Sequence, residues 1–468
     1  MIAWSFKSHI PSIVATRRSE IFFSIPALKG RAKLIPTLRV GTRGVLPLPV
    51  NVMGRHEINR RKFLRATLSA GALVMAEGPL GSFARAGERE VARQLARTDE
   101  ARRWAADEVR RFAPVKVARN RIIRTIVGLR PYRDEGFVVE AERLGDKLLV
   151  HNYGHGGAGV TLSWGTSSLA VDIAREESQR SPSQPVTRAL TRSRRPLKVP
   201  RRFAVLGCGV MGLSTARLLQ RRLQGEGATV TIYAKDIPPQ TTSNIAGALW
   251  SPTSIYDPAV ASAKFIEQFR LACQLSNRAF QELVGPEYGV RWIDTYELLV
   301  PEASLEREPA GGAQLYPQIQ IHRNPEQYFG FPHVRQFSTM LIEPHTYLRA
   351  LLRDFYVAGG RVVVKEFKNR QEIARLTEQV VFNCTGLGAR ELFDDQKLGP
   401  VRGQLEVLLP QAEVDYCYLS GSGYMFPRRD GIILGGTFDH DDWSLEPDAG
   451  QTSEILEEHA EIMKRLKA

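Results

Sequence analysis

The order of apolar runs and polar turns divides the chain into a leader, a first folded segment, a polar linker and a long body. After the leader, residues 88–112 carry apolar positions at helical spacing among Ala, Arg and Glu, which predicts one or two exposed helices. Two apolar runs, 137–139 and 148–150, flank the turn residues 144–147, a pattern typical of a β-hairpin. A glycine-rich turn then opens a helical pattern that continues to about Ala174.

The body alternates strands with helices and therefore predicts an α/β fold. Before it, residues 175–200 are rich in Ser, Pro, Gln and Thr, as expected of a solvated linker. The body, 201–468, begins with a buried strand at 202–206. The later predicted elements are helices at 213–223, 347–355 and 452–466, and strands at 229–233, 361–364, 380–383, 404–408 and 431–435.

Most of the positive charge belongs to the first 86 residues. The 468-residue chain has a formal net charge of +14, but residues 1–86 hold 14 Lys/Arg and 3 Asp/Glu, a net of +11. The remainder has 50 basic and 47 acidic residues, a net of only +3, which argues against a nucleic-acid partner. With 43% hydrophobic residues, the chain can bury the core of one large domain or of two medium domains. No window of eighteen apolar residues predicts a membrane span.

The leader, 1–86, contains the pattern of an export signal at 59–86. Arg60-Arg61 precedes a moderately apolar stretch, and Ala84-Arg85-Ala86 supplies small residues for cleavage. Paired arginines indicate the twin-arginine route, which carries folded proteins, so we expect a periplasmic or otherwise exported protein. Because a signal peptide normally begins at its charged region, Met53 is the expected translation start. An amphipathic surface helix is the alternative interpretation of this stretch.

A glycine-rich turn in the body predicts a dinucleotide site. Gly207, Gly209 and Gly212 stand between a strand and a helix, where they permit a tight turn, a close approach to pyrophosphate and helix–strand packing. Asp236 follows the next strand and is the candidate for binding the adenosine ribose, although Lys235 beside it leaves a phosphate contact open. From these residues alone FAD and NAD both remain candidates, as does a turn without a ligand.

The body resembles the opening and the later motifs of the D-amino-acid oxidase family. The segments that carry this resemblance are Val205 to Ala216, Tyr233-Ala234-Lys235-Asp236, Thr241-Thr242-Ser243, Ala246-Gly247-Ala248-Leu249-Trp250, Phe382-Asn383-Cys384-Thr385-Gly386, Val401-Arg402-Gly403-Gln404 and Leu434-Gly435-Gly436-Thr437-Phe438. The resemblance implies a GxGxxG FAD-binding domain and an interleaved substrate domain built on a large mixed sheet.

The same resemblance implies FAD as the cofactor and assigns its contacts. Thr241, Thr242 and Ser243 would lie near the phosphates, Ala248 and Leu249 beside the isoalloxazine, and Val364, Thr385 and Gly386 near the adenine half. The remaining expected cofactor residues come from the two glycine turns and their flanks: Gly207, Gly209, Val210, Met211, Gly212, Gly128, Gly156, Gly159, Val160 and Thr161.

Two motifs that lie at the carboxyl-terminal end in that family come first in this chain. They are Gly128-Leu129-Arg130-Pro131 and the turn His151 to Gly157, both within residues 87–174. The order predicts a circular permutation, and a mis-joined gene model is the alternative. Permutation is physically tolerable because domain termini often lie close together at the surface.

The expected substrate residues are Arg130, Tyr424 and Gly157. A guanidinium is suited to bidentate binding of a carboxylate, and the resemblance gives Arg130 the substrate α-carboxylate, Tyr424 a supporting hydroxyl and Gly157 a carbonyl contact with the amine. Ser420 stands where the family has a second, lid-borne tyrosine, with Tyr416 and Tyr418 close by. Ser251 replaces a frequent glutamine.

Neither metal ligation nor disulfide formation is predicted. His151 and His155 lie four residues apart in a glycine-rich turn that contains no carboxylate or thiol to complete a metal site. Structural roles are therefore favoured over metal ligation. The four cysteines are widely spaced and are expected to be buried free thiols.

The implied reaction moves hydride from Cα of a D-amino acid to flavin N5, after which the imino acid hydrolyses and O2 reoxidises the flavin, giving peroxide. An exported dehydrogenase that passes electrons to a quinone, and a non-catalytic dinucleotide-binding protein, are the alternatives.

Overall fold

The computed structural model describes residues 112–179, 202–299, 307–323, 329–421 and 423–466. The predicted export signal and the helices expected before Phe112 lie outside this part of the chain. The predicted linker also lies outside it, except for its first residues. Arg175, Glu176 and Glu177 continue the preceding helix, so the linker begins later than the composition indicated.

Strands and helices alternate along most of the described chain. The strands are β1 (Ile122–Tyr132), β2 (Val138–Leu144), β3 (Lys147–Tyr153), β4 (Arg202–Leu206), β5 (Thr229–Ala234), β6 (Val290–Leu299), β7 (Gln320–Arg323), β8 (His333–Ile342), β9 (Arg361–Val364), β10 (Val380–Asn383), β11 (Gly399–Leu408), β12 (Tyr416–Leu419), β13 (Tyr424–Arg428), β14 (Gly431–Gly435) and β15 (Asp439–His440). The helices are α1 (Gly159–Glu177), α2 (Val210–Arg222), α3 (Ala263–Glu282), α4 (Pro344–Val357), α5 (Arg370–Ala374), α6 (Ala389–Leu392) and α7 (Ala449–Arg465).

One sheet is built mainly from parallel strands, in the order β2-β3-β10-β4-β5-β9. Only β2 runs antiparallel to its neighbour β3, and the two form the predicted hairpin. The apolar runs of β3, β4 and β10 are buried, as expected for parallel strands that are covered on both faces. The carboxyl ends of the five parallel strands therefore meet at a single edge of the sheet.

The second sheet is larger and mixed. Its strands follow the order β1-β11-β14-β13-β12-β6-β8-β7, with β15 paired to β11. All neighbours are antiparallel except β12 and β6. Strand β1 runs antiparallel to β11 over almost its whole length and places Arg130 opposite Val401. The predicted α/β fold with a large mixed sheet is confirmed.

Helix α1 is buried along most of its length and crosses α3 closely. A side chain at Gly165 would overlap with the backbone of Ala272, so the crossing requires glycine at this position. Its consecutive buried residues, which include small serines and threonines, place this helix in the core rather than at the surface. Helix α2 begins at Val210, three residues before the start that the sequence predicted, because the glycine turn itself leads directly into the helix.

The segment 112–179 contributes to both sheets. It supplies β1 to the mixed sheet and β2–β3 to the parallel sheet. Its beginning lies beside the last described helix, since the Val115 amide is 3.2 Å from Sδ of Met463. Phe112 and Val115 pack in the same cluster as Ile455 and Ile462 of α7.

Candidate active site

A cavity of about 1320 Å³ lies where the carboxyl-terminal edge of the parallel sheet meets the mixed sheet. In open α/β sheets this edge is where ligands bind. The parallel sheet contributes the loops that follow β3, β4, β5, β9 and β10, and the mixed sheet contributes residues of β1, β11, β12 and β13. The volume exceeds the range of about 300–1,000 Å³ usual for small-ligand pockets, which leaves room for a dinucleotide together with a substrate.

The first glycine turn has the form that a dinucleotide requires. Gly207 has φ +102°, and a side chain there would overlap with the Cys384 carbonyl. A Cβ at Gly209 would meet Ser243 Oγ at 3.1 Å and no backbone atom. The turn itself therefore does not require this glycine, whose missing side chain leaves open the space, here called the cradle, in which a pyrophosphate would lie. Gly212 does not line the cavity. Its role is in packing, because the missing side chain lets α2 lie directly against the Gly207 carbonyl and Val205.

The three hydroxyl residues predicted to bind phosphate line the cavity beside this turn. Thr241, Thr242 and Ser243 all belong to its wall. Ser243 Oγ accepts a hydrogen bond of 2.9 Å from the Val210 amide at the start of α2. The hydroxyl thereby fixes the loop to the helix N-terminus, whose remaining N–H groups and dipole favour an anion.

The residues expected at the adenosine end lie at or beside the cavity wall. Asp236 and Lys235 line the cavity after β5, and Lys235 Nζ lies 3.9 Å from a carboxylate oxygen of Glu366. Thr385 and Gly386 line it after β10. Val364 is 70% exposed and directly precedes the wall residue Lys365. Its contact near the adenine stays a prediction.

The second glycine turn packs against the segment after Trp250. Gly156 has φ +53°, and a side chain there would overlap with the Ser254 carbonyl. The Gly157 amide donates to that same carbonyl at 2.8 Å. The turn leads through Gly159 and Val160, which line the cavity, into α1. Helix α1 thus presents a second helix N-terminus to the cavity, with no side chain capping it.

The segment expected beside the isoalloxazine is held to α1 and to β8. Thr161 Oγ1 lies 3.3 Å and 3.2 Å from the carbonyls of Leu249 and Ser251. Ala248 adopts φ +66°, and its carbonyl accepts from the Ile342 amide at 2.9 Å. Ala248, Leu249 and Thr161 consequently line the cavity together, as does Gly128 from β1.

Arg130 is fixed by backbone carbonyls and reaches the cavity. Its Nη1 donates to the carbonyls of Arg402 and Thr437, each at 3.2 Å, and its guanidinium lies over the Phe438 ring, 5.3 Å from the centroid. Gly403 makes this possible, because a Cβ there would come within 2.5 Å of Nη1, Nη2 and Cζ of the arginine. Among the described residues, no carboxylate pairs with Arg130. Nη2 and Nε therefore remain available for an anionic ligand.

Its neighbour Arg133 is held in an ion pair within the protein. Arg133 Nε lies 2.8 Å from Oδ2 of Asp395, and both side chains are largely buried. The contrast identifies Arg130 as the arginine with unfilled donor capacity in this region.

Tyr424 lines the same cavity as Arg130 and Leu249, although about three hundred residues separate it from Arg130. The tyrosine starts β13, stacks on Phe426 with a centroid separation of 4.6 Å, and is half-buried. Ser420 and Ser251, the two departures from the family pattern, also line the cavity. Tyr416 and Tyr418 are fully buried in the core, so neither takes the place of a lid-borne tyrosine.

The charges along the wall are distributed unevenly. Six charged residues follow the strands and helices of the parallel sheet: Lys235, Asp236, Lys365, Glu366, Lys368 and Glu391. In the wall that the described part of the mixed sheet provides, Arg130 is the charged residue. A ligand held there meets one positive charge in otherwise apolar and polar neutral surroundings.

The histidines of the second glycine turn are structural. His151 lies 3.1 Å from Glu142 Oε1 and 3.0 Å from Asn383 Nδ2. His155 lies 3.0 Å from Thr166 Oγ1, and burial lowers its pKa to about 3, so the ring stays neutral. Within the described residues no group of three or more His, Cys, Asp or Glu is arranged to hold a metal ion.

All four cysteines are free and buried, as expected. Burial raises the pKa of Cys208 and of Cys384, each to about 12, so both remain thiols where they meet the cavity wall. In the described part of the chain, no helix combines the length and apolar content needed to cross a bilayer.

Several wall residues were not singled out from the sequence as site residues. Gly403, Thr437 and Phe438 occur within motifs that carried the resemblance, yet their part in holding Arg130 depends on strand pairing. The other wall residues not assigned beforehand include Gln240, Ile245, Thr253, Ser254, Lys365, Glu366, Leu405, Leu419, Phe426 and Leu445. No local sequence signal distinguishes these residues.

The chain was compared with protein families, with individual proteins and with solved structures. The family model described as FAD dependent oxidoreductase matches residues 40–173 and 202–468. A D-amino-acid oxidase of Rubrobacter xylanophilus is 34% identical over 281 residues, covering 58% of this chain and 79% of that protein. The human D-aspartate oxidase is 31% identical over 258 residues, covering 54% of this chain and 74% of that protein. A glycine oxidase structure from Bacillus cereus aligns with a TM-score of 0.42 and 16% identity, covering 55% of this chain and 77% of that one.

Proposed function

The chain belongs to the DAO family of FAD dependent oxidoreductases, and we propose that it oxidises D-amino acids with O2, giving a 2-oxo acid, ammonia and hydrogen peroxide. Its enzyme class, an FAD-dependent oxidoreductase of the D-amino-acid oxidase type, is shared with relatives such as the Rubrobacter protein. The stereochemistry of the substrate and the electron acceptor are the proposed part. The observation that carries the proposal is the Arg130 guanidinium, which is fixed on one side and open to the cavity on the other.

Arg130 binds the substrate α-carboxylate in this proposal. The carbonyls of Arg402 and Thr437 hold Nη1, so the planar fork is oriented before the substrate arrives. A bidentate pair with a carboxylate combines two charge-assisted hydrogen bonds with a fixed geometry. Because Arg130 has no carboxylate partner among the described residues, an anionic substrate meets no competing anion there.

Tyr424 and Gly157 complete the binding of the backbone part of the amino acid. The tyrosine hydroxyl supports the carboxylate, and the Gly157 carbonyl accepts from the amino group. Both residues line the cavity with Arg130. These contacts hold the carboxylate and the amine, two of the four substituents of Cα, and thereby orient the single Cα hydrogen; such orientation accounts for a large part of a rate acceleration.

FAD fits the residues that face the cavity. The open cradle at Gly209, the uncapped N-terminus of α1 and the wall of Thr241, Thr242 and Ala248 are suited to its pyrophosphate and ring system. When bound, FAD supplies the hydride acceptor. The N–H groups at the start of α1 stabilise negative charge that develops nearby.

The decisive experiment is anaerobic bleaching of the yellow protein with a panel of D- and L-amino acids. We expect several D-amino acids to bleach the flavin and their L-enantiomers to leave it oxidised. Readmission of air should restore the colour and produce one equivalent of peroxide. Arg130→Ala is the matched control, because it should stay yellow yet require far more substrate.

Each outcome has a defined meaning. Bleaching by L-amino acids alone contradicts the proposed stereochemistry. Bleaching without recovery in air, followed by recovery with a quinone, contradicts the oxidase and supports a dehydrogenase. Bleaching of Arg130→Ala at the substrate concentration that suffices for the wild type contradicts the carboxylate clamp.

We also propose that the motif order is a genuine circular permutation. Residues 112–117 pack against α7, so a family member with the other order could join these two segments directly. Mass spectrometry of the purified protein tests this point. Peptides from 112–179 and from the body should occur in one polypeptide of the expected mass, and their recovery from two separate chains would contradict the proposal.

Export by the twin-arginine route is the third proposal. It rests on Arg60 and Arg61 and the small residues that follow the apolar stretch. Fractionation of expressing cells should recover the flavin-containing protein outside the cytoplasm, and recovery of processed protein only inside it would contradict this localisation.

A further inference from the structure

Two neighbouring residues of α7 contact the hairpin that carries Tyr424. Ser420 lies in the turn between β12 and β13, and its Oγ accepts a hydrogen bond of 3.2 Å from the Gly423 amide. The same Oγ lies 3.1 Å from Oε1 of Glu458. The adjacent residue, His459, is completely buried beneath the hairpin.

His459 connects two strands of the mixed sheet. Its Nε2 lies 3.0 Å from the Gly435 carbonyl at the end of β14, and its Nδ1 contacts the hydroxyl of Tyr418 on β12. A carbonyl only accepts, so Nε2 carries the proton and Nδ1 of the neutral ring accepts from the tyrosine. Burial lowers the pKa of His459, which keeps the ring in this neutral form.

Gly435 is the surface on which Tyr424 rests. The two residues are paired in the β13–β14 ladder. A Cβ at Gly435 would overlap with Cε2 and Cζ of Tyr424 and approach Cδ2 to 2.7 Å. The tyrosine ring therefore lies against the α-carbon of Gly435, and any movement of the Gly435 peptide moves the support of the ring.

We propose that His459 is a positioning residue for substrate binding, which holds the Gly435 carbonyl and the Tyr418 hydroxyl so that the Tyr424 ring stands at the cavity beside Arg130. The inference rests on the proposed role of Tyr424 in binding the amino acid. His459 does not line the cavity and does not touch substrate or cofactor. Its effect passes through β14 and β12 to the tyrosine.

Two isosteric variants separate the two contacts of the ring. The amide nitrogen of His459→Gln reaches the position of Nε2 and keeps the bond to Gly435. The shorter His459→Asn reaches only the position of Nδ1, and leaves the buried Gly435 carbonyl without its donor. Ile462→Ala, also on the buried side of α7, is the control that loosens helix packing while leaving both ring contacts of His459 in place.

Two readouts are measured on the holoenzyme. In anaerobic flavin reduction, His459→Asn should raise the D-amino-acid concentration at half-maximal rate about tenfold, with the limiting rate changed less than about threefold. His459→Gln, which loses only the Tyr418 contact, should raise that concentration about threefold, and Ile462→Ala should stay within about twofold of the wild type. In hydrogen–deuterium exchange, the amides of residues 424–428 should exchange fastest in His459→Asn, less fast in His459→Gln, and at the wild-type rate in Ile462→Ala.

An unchanged half-maximal concentration in His459→Asn, or an equal rise in Ile462→Ala, overturns the inference. If no amino acid reduces the wild type, the proposed function fails, while the exchange comparison still decides whether His459 holds β13. If His459→Asn does not accumulate, Tyr418→Phe replaces it. This variant releases one side of the ring and should give the same two changes at about threefold, and no change in either readout would overturn the inference.

Discussion

Replacing Gly403 with alanine adds one methyl group directly behind the substrate-binding guanidinium. The new Cβ would lie within 2.5 Å of Nη1, Nη2 and Cζ of Arg130, whereas ordinary contact begins at 3.4 Å. The guanidinium must therefore move by about 1 Å. It is the end of a flexible side chain, so the movement costs the fold little.

The displacement reaches the substrate through hydrogen-bond geometry. Charge-assisted N–H···O bonds hold at about 2.7–2.9 Å, and a shift of about 1 Å removes at least one of the two bonds to the carboxylate. A hydrogen bond to a charged group contributes about 1.5–3 kcal/mol. Gly403→Ala should therefore weaken substrate capture by about tenfold to about hundredfold.

The assay is stopped-flow reduction of the flavin under anaerobic conditions, with the half-maximal substrate concentration as the result. Gly399→Ala provides the matched control on the same strand, because a Cβ there would meet only the flexible end of Asp441, at 3.1 Å. Both variants should keep wild-type flavin content. Wild-type substrate affinity in Gly403→Ala would refute the position assigned to the guanidinium, and an equal loss in Gly399→Ala would show that strand β11 is sensitive throughout.

Three further outcomes are expected. Gly209→Val should fold but purify colourless, because its Cβ meets only Ser243 Oγ in the protein and the branched side chain fills the pyrophosphate cradle. Retained flavin absorbance in the purified variant would contradict this. Replacing Arg60 and Arg61 by lysine should leave the precursor in the cytoplasm despite the unchanged charge, and normal export would contradict the twin-arginine assignment. The four buried thiols, of which Cys208 has its pKa raised to about 12 by burial, should resist a thiol reagent until denaturation, and rapid labelling of the native protein would contradict their burial.

The parallel sheet was predictable because its information is local. Apolar runs such as 203–206 and 380–382 fix the buried strands, and glycines fix the turn that follows β4. The start of α2 was placed three residues late, since the turn residues Val210 and Met211 were assigned to ligand binding and already belong to the helix. Helical geometry and cofactor contact are not exclusive at such a turn.

The support of Arg130 was not predictable from the local sequence. It depends on carbonyls of Arg402 and Thr437, 272 and 307 residues away, which only the antiparallel register of β1 with β11 brings to the guanidinium. Lys365 was missed for the same reason. It follows β9, the edge strand of the parallel sheet, and only the pairing of β9 with β5 brings it to the cavity wall.

The position of 112–179 in the chain has a consequence for the time at which the protein folds. Strand β1 emerges from the ribosome about 270 residues before β11, its neighbour in the described sheet. At about 5–20 residues per second, translation leaves β1 unpaired for about 15–55 s. The hairpin β2–β3 likewise stays unpaired until β10 is made, so the parallel sheet cannot close before residue 383 and the mixed sheet cannot close before residue 435. An unpaired strand edge is a hazard for aggregation during that interval, and we therefore expect nascent-chain chaperones to bind this segment.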